Sequence, residues 1–333
     1  MDIDIVVLWV DGNDPAWQAE RRKYVPEEKN DSHRFRDWDL MKYWFRSIER
    51  FAPWARKVHF VTWGHLPAFL DTSNPRLHIV RHEDYMPKEV LPVFNSTALE
   101  MNLHRIEGLA ERFVLFNDDV FLLRPLGPER FFDEKSGLPK AGFAELPIIL
   151  KSPLRDWDLH LARDLSIVNR WFNKRDVSMK EYLRRYWSAQ YPLADNVRSL
   201  MLKLNVPGYY TGFRVFHAAH SYLKSTFEEL WEKEPEILEH TTRQRLRNGE
   251  EVNQILAYWW QLAAGHFSPG KTDAFVREIK TERLDMLCDL IANSRHEMLC
   301  LNDSPDEIDF EAAQKRLDAA FASLFPEKSS FEL

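Results

Sequence analysis

Two adjacent carboxylates, Asp118 and Asp119, come shortly after an apolar run of strand-forming residues from Phe113 to Phe116. Asn117 separates the run from the two carboxylates. In open α/β sheets, ligands bind at the carboxyl ends of the strands. Paired carboxylates at such an end suit a hard cation that also holds phosphate oxygens. The alternative is an ordinary turn, because Asn and Asp are favoured turn residues. This stretch is the first candidate for a metal-dependent phosphate site.

Two further apolar runs end in acidic turns. They are residues 3–10, followed by Asp11, Gly12 and Asn13, and residues 297–301, followed by Asn302 and Asp303. If these ends lie beside Asp118 and Asp119, they form a carboxylate cluster that can hold a divalent metal ion.

Basic side chains facing such a cluster would complete a phosphate site, because phosphoryl transfer depends mostly on positioning and charge neutralisation. The candidates are Arg34, Arg36, His217, His220 and Arg247. From spacing alone, surface ion pairs explain Arg34 and Arg36 better. An unperturbed histidine pKa lies near neutrality, so His217 is a candidate general base. The sequence offers no further His/Cys cluster to complete a zinc site around His217 and His220, and a lone histidine is more often exposed or satisfied in a core.

Composition excludes several classes of protein. The 333 residues are 44% hydrophobic and 29% charged, as in soluble globular proteins, and the net charge of −7 argues against a nucleic-acid partner. Two cysteines are too few for a disulfide framework and fit a reducing compartment. No run reaches the roughly 18 apolar residues of a membrane span, and the first apolar run is too short for a signal peptide. P-loop, GxGxxG and GxSxG motifs are missing from the sequence, which argues against the chemistry each carries.

The elements that would position these residues follow a strand–helix alternation. The patterns predict strands at 3–10, 57–63, 77–80 and 113–116, and helices at 39–51 (with Asp37 as N-cap) and 95–110. This order predicts an α/β fold with a mostly parallel sheet flanked by helices. Helical patterns dominate after residue 150. We therefore divide one integrated catalytic unit into an α/β nucleotide-binding core (1–150), a mainly helical acceptor and catalytic portion (151–270) and a segment that returns to the core (271–333).

The sequence resembles the Stealth family in four stretches that follow the family's order. The first is residues 3–15, the second runs from Arg34 to about Pro125, the third from His217 to Gln254, and the fourth is Cys300 to Asp303. The second contains Arg34-Phe35-Arg36-Asp37, His104-Arg105-Ile106-Glu107-Gly108 and Asn117-Asp118-Asp119. Stealth proteins include bacterial capsular polysaccharide phosphotransferases and share a module with the animal lysosomal-enzyme N-acetylglucosamine-1-phosphotransferase. Ala218-Ala219 departs from the family, whose bacterial members usually carry a proline after this histidine.

The resemblance implies an enzyme with a GT-A-like fold, a helical second half around the site, and Mg²⁺ or Mn²⁺ as cofactor. It would transfer a hexose-1-phosphate, such as N-acetylhexosamine-1-phosphate, from a UDP-sugar (UDP-GlcNAc or similar) to a hydroxyl of a growing capsular polysaccharide, releasing UMP. It would act in the cytoplasm, at the inner membrane face or with capsule-assembly partners. One alternative is a GT-A glycosyltransferase that releases UDP. Another is a non-catalytic protein that binds a sugar or nucleotide, but the presence of the acids, His217 and Arg247 argues against it.

The resemblance also implies roles for individual residues. Asp118, Asp119 and Asp303 would hold the metal, with Asp119 preferred over Asp118. His217 would be the base, with His220 as second choice, and Arg247 would bind phosphate, so that His217, Arg247 and Asp119 carry catalysis. The residues expected to bind the nucleotide or the substrate are Asp11, Gly12, Asn13, Arg34, Arg36, Asn117, His220 and Asn253.

Overall fold

The computed structural model describes residues 1–25, 36–150, 152–206, 208–271, 273–293, 295–303 and 308–333. Its strands are β1 (Ile3–Trp9), β2 (Val58–Thr62), β3 (Leu77–Arg81), β4 (Arg112–Asn117), β5 (Val120–Leu122), β6 (Lys140–Ala141), β7 (His220–Leu223), β8 (Ser268–Pro269), β9 (Ala274–Glu278) and β10 (Met298–Asn302). Its helices are α1 (Pro15–Arg22), α2 (Met41–Phe51), α3 (His82–Tyr85), α4 (Ser96–Glu100), α5 (Asp156–Trp171), α6 (Met179–Tyr186), α7 (Leu193–Asn205), α8 (Lys224–Lys233), α9 (Pro235–Arg243), α10 (Gln254–Ala264), α11 (Leu284–Asn293) and α12 (Phe310–Leu324).

The central sheet has the strand order β3-β2-β1-β4-β7. Its first four strands are parallel, and β7 pairs antiparallel with β4 at the edge. Alternate residues of β1 enter two cores, Ile5 and Val7 on one face of the sheet and Val6 on the other, so helices cover both faces. The α/β fold with a mostly parallel sheet is thereby confirmed.

The register of β1 with β4 brings two of the acidic strand ends together. Leu8 pairs with Asn117, so the residues after β1 and those after β4 leave the sheet side by side. A second sheet, of order β5-β10-β9, supplies the third end. Because β10 runs antiparallel to β5, with Cys300 opposite Val120, residues far along the chain return to the turn that carries Asp119.

Two helix predictions need correction. α2 starts at Met41 rather than residue 39, and Asp37 does not cap it, because its Oδ1 instead accepts a hydrogen bond from the Asp39 amide at 2.8 Å. The predicted helix over 95–110 is α4 followed by a single 3₁₀ turn at Leu103–Arg105. There the Asn102 side chain donates to the Ala98 carbonyl and so competes with the helical backbone.

The second half of the chain is mainly helical, and α5, α8 and α10 pack together against the sheet face that contains Val6. The boundaries of the three-part division stay a prediction. In the part of the chain that the structure describes, none of the helices combines the length and the apolar character needed to cross a bilayer.

Candidate functional site

The loop after β1 forms one wall of the site. Asp11 Oδ1 accepts a hydrogen bond from the Asn13 amide at 2.8 Å, and the Gly12 carbonyl accepts one from Gln18 Nε2 at 2.7 Å. Asp14 then caps α1 by accepting from the Trp17 amide. The loop is therefore held in a fixed shape where β1 leaves the sheet, as a ligand-binding loop requires.

Asp119 lies at the centre of the contacts between the three strand ends. Its carbonyl accepts a hydrogen bond from the Leu301 amide at 2.9 Å, which ties the turn to β10. Its Oδ2 accepts from the Cys300 thiol at 3.3 Å and lies 3.5 Å from His217 Nε2. Among the described residues, the buried Asp119 Oδ1 has no hydrogen-bond partner. An orphaned carboxylate oxygen beside other acids fits a hard cation.

Asp118 lies among other carboxylates. Although its side chain reaches solvent, the surrounding protein and the nearby Asp119 and Asp37 carboxylates raise its pKa to about 7. Burial and the charge of Asp11 likewise raise the pKa of Asp37. Four carboxylates thus share one electrostatic environment at the strand ends, and a bound cation would relieve their repulsion.

His217 is placed to exchange a proton beside Asp119. Its Nε2 lies 3.1 Å from Asn117 Nδ2 as well as 3.5 Å from Asp119 Oδ2. Desolvation opposes protonation, but the hydrogen bond and charge of Asp119 outweigh it and raise the pKa of His217. An unprotonated Nε2 has the lone pair of a base, and once protonated it can donate to Asp119 Oδ2, which then stabilises the charged ring.

His220 has a different environment. It is buried at the start of β7, its Nε2 donates to the Phe216 carbonyl at 2.8 Å, and burial lowers its pKa to about 4. The ring therefore stays neutral and anchors the chain after His217. This geometry favours His217 over His220 as the base.

A pocket of about 240 Å³ opens beside His217. It brings together five residues predicted for the site, namely Asn117, His217, His220, Arg247 and Asn253. Its other polar walls come from Glu100 and His160, and Trp157 borders it. A larger cavity of about 380 Å³ lies between α5 and α9, and it shares no lining residue with this pocket. Of these two cavities, the smaller one is lined both by Asn117, at the end of β4, and by the basic groups His217 and Arg247.

Arg247 supplies the pocket's positive charge. Its guanidinium donates to the Ser96 hydroxyl at the start of α4, and it lies close enough to Glu100 to act on that carboxylate. Burial raises the pKa of Glu100, while Arg247 partly opposes the shift. Asn253 caps α10 by accepting from the Ile255 amide at 2.8 Å, so its side chain shapes the pocket wall.

Asp303 and Arg36 form an ion pair. Arg36 Nε lies 3.4 Å from Asp303 Oδ2, directly after β10, and the guanidinium also lies over the Phe310 ring. Arg34 lies outside the described residues. The predicted metal set of Asp118, Asp119 and Asp303 stays a prediction. The group whose ligand atoms lie within 4.8 Å of one another, among the described residues, is Asp119, His217 and Cys300.

Sequence reasoning missed three residues of this site. Asp37 stood in a quoted motif but was assigned to a helix cap. Cys300 stood at the start of the fourth motif, two residues before Asn302, yet only strand pairing reveals that it touches Asp119. Burial and Asp119 raise the pKa of its thiol, so a thiolate ligand is not preformed. Glu100 gave no signal in the sequence beyond being an acid in a helical pattern.

Comparison with family models identifies three conserved regions. Conserved regions 1, 2 and 4 of the Stealth protein family match residues 1–28, 34–140 and 289–333. The matches contain Asp11, the Asn117–Asp119 turn and Asp303.

Curated relatives match over nearly the whole chain. The capsular polysaccharide phosphotransferase WcwK of Streptococcus pneumoniae is 35% identical over 340 residues, covering 99% of both chains. The receptor polysaccharide phosphotransferase WefC of Streptococcus oralis is 35% identical, again covering 99% of both. The exopolysaccharide phosphotransferase cps2G of Lactiplantibacillus plantarum is 35% identical, covering 99% of this chain and 96% of the relative. Among solved structures, galactosyltransferase LgtC with donor and acceptor sugar analogues is similar over 95% of each chain, at 10% identity and a TM-score of 0.38.

Proposed function

Because this chain belongs to the Stealth family, we propose that it is a phosphotransferase that builds a capsular or other cell-surface polysaccharide. The donor is a UDP-sugar such as UDP-GlcNAc, and the acceptor is a polysaccharide or oligosaccharide hydroxyl. The products are UMP and a phosphodiester between sugar 1-phosphate and acceptor. The observation that carries the proposal is the contact of His217 with Asp119 beside a pocket that also contains Arg247.

In the proposed reaction, His217 Nε2 accepts the proton of the acceptor hydroxyl. The hydroxyl oxygen attacks the β-phosphorus of the donor, and the bond from that phosphorus to the oxygen bridging to the α-phosphate breaks. UMP leaves with the electron pair. Asp119 stabilises the imidazolium that forms, and Asn117 lies 3.1 Å from the same nitrogen, beside the path of the proton.

Positive charge in the pocket supports the phosphate part of the proposal. Arg247 would bind the transferred phosphate, since a guanidinium matches phosphate oxygens in charge and geometry. Arg36 would bind the phosphate of the leaving UMP, and its ion pair with Asp303 at the strand ends supports this role. The loop of Asp11, Gly12 and Asn13 would contact the nucleotide at the end of β1.

The donor set fits a hard divalent cation, Mg²⁺ or Mn²⁺. Asp119 offers an oxygen unpaired among the described residues, Asp118 lies next to it, and Asp303 follows the strand that pairs with this turn. When bound, such a cation supplies neutralisation of the charge on the donor phosphates. The two free cysteines and a nucleotide-sugar donor support a cytoplasmic location.

Product analysis tests the proposal. The protein is incubated with a UDP-sugar, Mg²⁺ and an oligosaccharide acceptor, and the released nucleotide is identified. UMP together with a phosphodiester product is the expected result. UDP release would instead identify a glycosyltransferase that attacks the sugar carbon, and would refute the proposal.

Matched variants connect that activity to the site. Asp119→Asn keeps the side-chain shape but removes the charge, so UMP release should fall by at least about 10²-fold. Asp289→Asn, which removes an exposed carboxylate from α11, should retain wild-type activity. Equal activity of the two variants would remove Asp119 from the mechanism.

A further inference from the structure

Exposed apolar side chains are concentrated in one part of the molecule. Of the nineteen large apolar side chains that are exposed within the described residues, fourteen lie between residues 146 and 209. Single exposed apolar residues are normal on any protein surface, but such a concentration marks an interaction surface.

α7 exposes an apolar stripe. Leu193, Val197, Met201 and Leu204 follow helical spacing along one side of the helix, and they are 69%, 45%, 53% and 57% exposed. The residues that α7 buries are polar or charged: Asp195, Asn196, Ser199 and Lys203. A helix with this arrangement is inverted relative to an ordinary surface helix, whose apolar stripe faces the core.

α6 repeats the pattern next to α7. Met179, Leu183 and Trp187 are exposed at spacings of four residues, and the buried Tyr182 hydroxyl donates to the Ser199 carbonyl of α7 at 2.9 Å. The chain before α5 adds exposed apolar residues at 149, 150 and 154. The exposed apolar side chains therefore lie on α6 and α7, which this hydrogen bond ties together, and on the chain before α5.

The segment that carries these side chains has a net positive charge, although the protein is acidic. Residues 151–210 contain eleven Lys and Arg against six Asp and Glu, a net charge of +5, while the whole chain carries −7. Among the residues of this segment that the structure describes and that are not buried, eight are basic and three acidic. The basic side chains that are most open to solvent include Arg155, Arg175, Lys180 and Arg184.

We propose that the described residues between 146 and 209 form a docking surface for the anionic face of a lipid bilayer. An apolar stripe flanked by Lys and Arg is the pattern of helices that lie in the membrane interface. Exposed Trp157, Trp187 and Tyr209 are the residue types that favour the headgroup level. A two-fold pairing of this surface with a second copy would bring like charges together, which disfavours self-association.

Trp157 links the docking surface to the pocket. It is 41% exposed at the start of α5 and also borders the pocket that contains His217 and Arg247. Docking would therefore hold the mouth of that pocket near the bilayer. This inference concerns where the protein binds and needs no particular reaction in the pocket.

Vesicle flotation tests the surface without any substrate. Wild-type protein should float with vesicles of phosphatidylglycerol and phosphatidylcholine, bind pure phosphatidylcholine more weakly, and dissociate as salt is raised. The variant Leu193→Gln/Met201→Gln/Leu204→Gln should bind the anionic vesicles at least about tenfold more weakly, since three apolar side chains no longer leave water.

Two control variants separate apolar from electrostatic contributions. Leu66→Gln/Met286→Gln changes two exposed apolar residues outside the surface and should bind like wild type. Arg175→Gln/Lys180→Gln/Arg184→Gln should weaken binding to anionic vesicles but leave the weak binding to phosphatidylcholine unchanged. Circular dichroism of each variant verifies folding.

Three results would overturn the proposal. One is wild-type protein that does not float with anionic vesicles. Another is equal binding by the α7 triple variant and the Leu66/Met286 control. The third is a stable oligomer, measured by light scattering, that the α7 triple variant splits into monomers, because the apolar surface would then belong to a contact between copies.

Discussion

α2 and α7 are helices of similar length that bury opposite kinds of residue. α2 (11 residues) buries Tyr43, Trp44 and Ile48, among others, against the sheet. α7 (13 residues) buries Asp195, Asn196, Ser199 and Lys203 and exposes leucines. The sequence pattern of either helix identifies an amphipathic helix, but the pattern alone does not say which side faces inward. The comparison shows that the surface against which a helix packs, rather than the periodicity of its sequence, decides which face of the helix is buried.

Hydrogen bonds hold the polar side of α7 in place. Asp195 pairs with Arg198 and Arg214, and Lys203 Nζ donates to the Lys174 carbonyl and, at 2.7 Å, to the Val177 carbonyl. Beneath them, Lys174 Nζ lies 2.7 Å from Glu145 Oε1, and both side chains are fully buried. The region around α2 gains stability from apolar burial, whereas the region around α7 depends on satisfied polar contacts.

The strand-end site and α7 should differ most in how a substitution changes turnover. His217→Ala should lower turnover by about 10²–10⁴-fold, because the proposed base at the strand ends is removed. The α7 triple variant should keep turnover on a short water-soluble acceptor within a few-fold of wild type. Steady-state UMP release measures both. A comparable loss in the two proteins would show that α7 takes part in the chemistry rather than only in docking.

Breaking the buried pair under α7 should give the largest loss of stability. Lys174→Met leaves Glu145 as an uncompensated buried charge, and the free energy of unfolding should fall by about 3–5 kcal/mol in urea titration. Lys174→Met/Glu145→Gln should recover much of that loss, since the charge is removed with its partner. If the double variant is no more stable than Lys174→Met, the charge of Glu145 is not the cause.

Acid titration should reveal a second polar contact behind the pocket. Burial opposes ionisation of Glu251, but hydrogen bonds from His160 of α5 and from the backbone lower its pKa to about 2, against an ordinary 4.5. Because the folded pKa is lowered, its stabilisation is present above pH 4.5 and is lost as the pH falls toward 2. The loss should be about 3 kcal/mol. Glu251→Gln should flatten this part of the stability profile, and an unchanged slope would assign it to other carboxylates.

The smallest expected effects are on the unfolding free energy, from single substitutions in α2 and α7. Ile48→Val removes one buried methyl group from α2 and should cost about 0.5–1.5 kcal/mol of unfolding free energy. Met201→Gln on the exposed stripe of α7 should change it by no more than about 0.5 kcal/mol. A larger loss at Met201 would mean that the stripe is covered in solution.

The sequence predicted the sheet because its strands are continuous apolar runs that end in acids. β1 and β4 could be recognised in this way, and their register then placed Asp11 near Asp119. Asp37 was assigned to a cap because Asp before a helix usually serves that purpose, but here it faces other carboxylates. The contact of Cys300 with Asp119 depends on strand pairing between distant segments, which local patterns do not encode. Helical patterns were expected throughout the part of the chain that contains α7, but its inverted orientation depends on contacts with Glu145 and Arg214, which lie outside the helix.

A ribosome makes Asp119 long before it makes Leu301, whose amide holds the Asp119 carbonyl. The parallel strands β1 to β4 can pair early, since all of them precede residue 118. The acidic turn, by contrast, stays without β10 until residues 298–302 have been synthesised. The order of translation therefore delays completion of the acidic turn until the strand that supports it has been made.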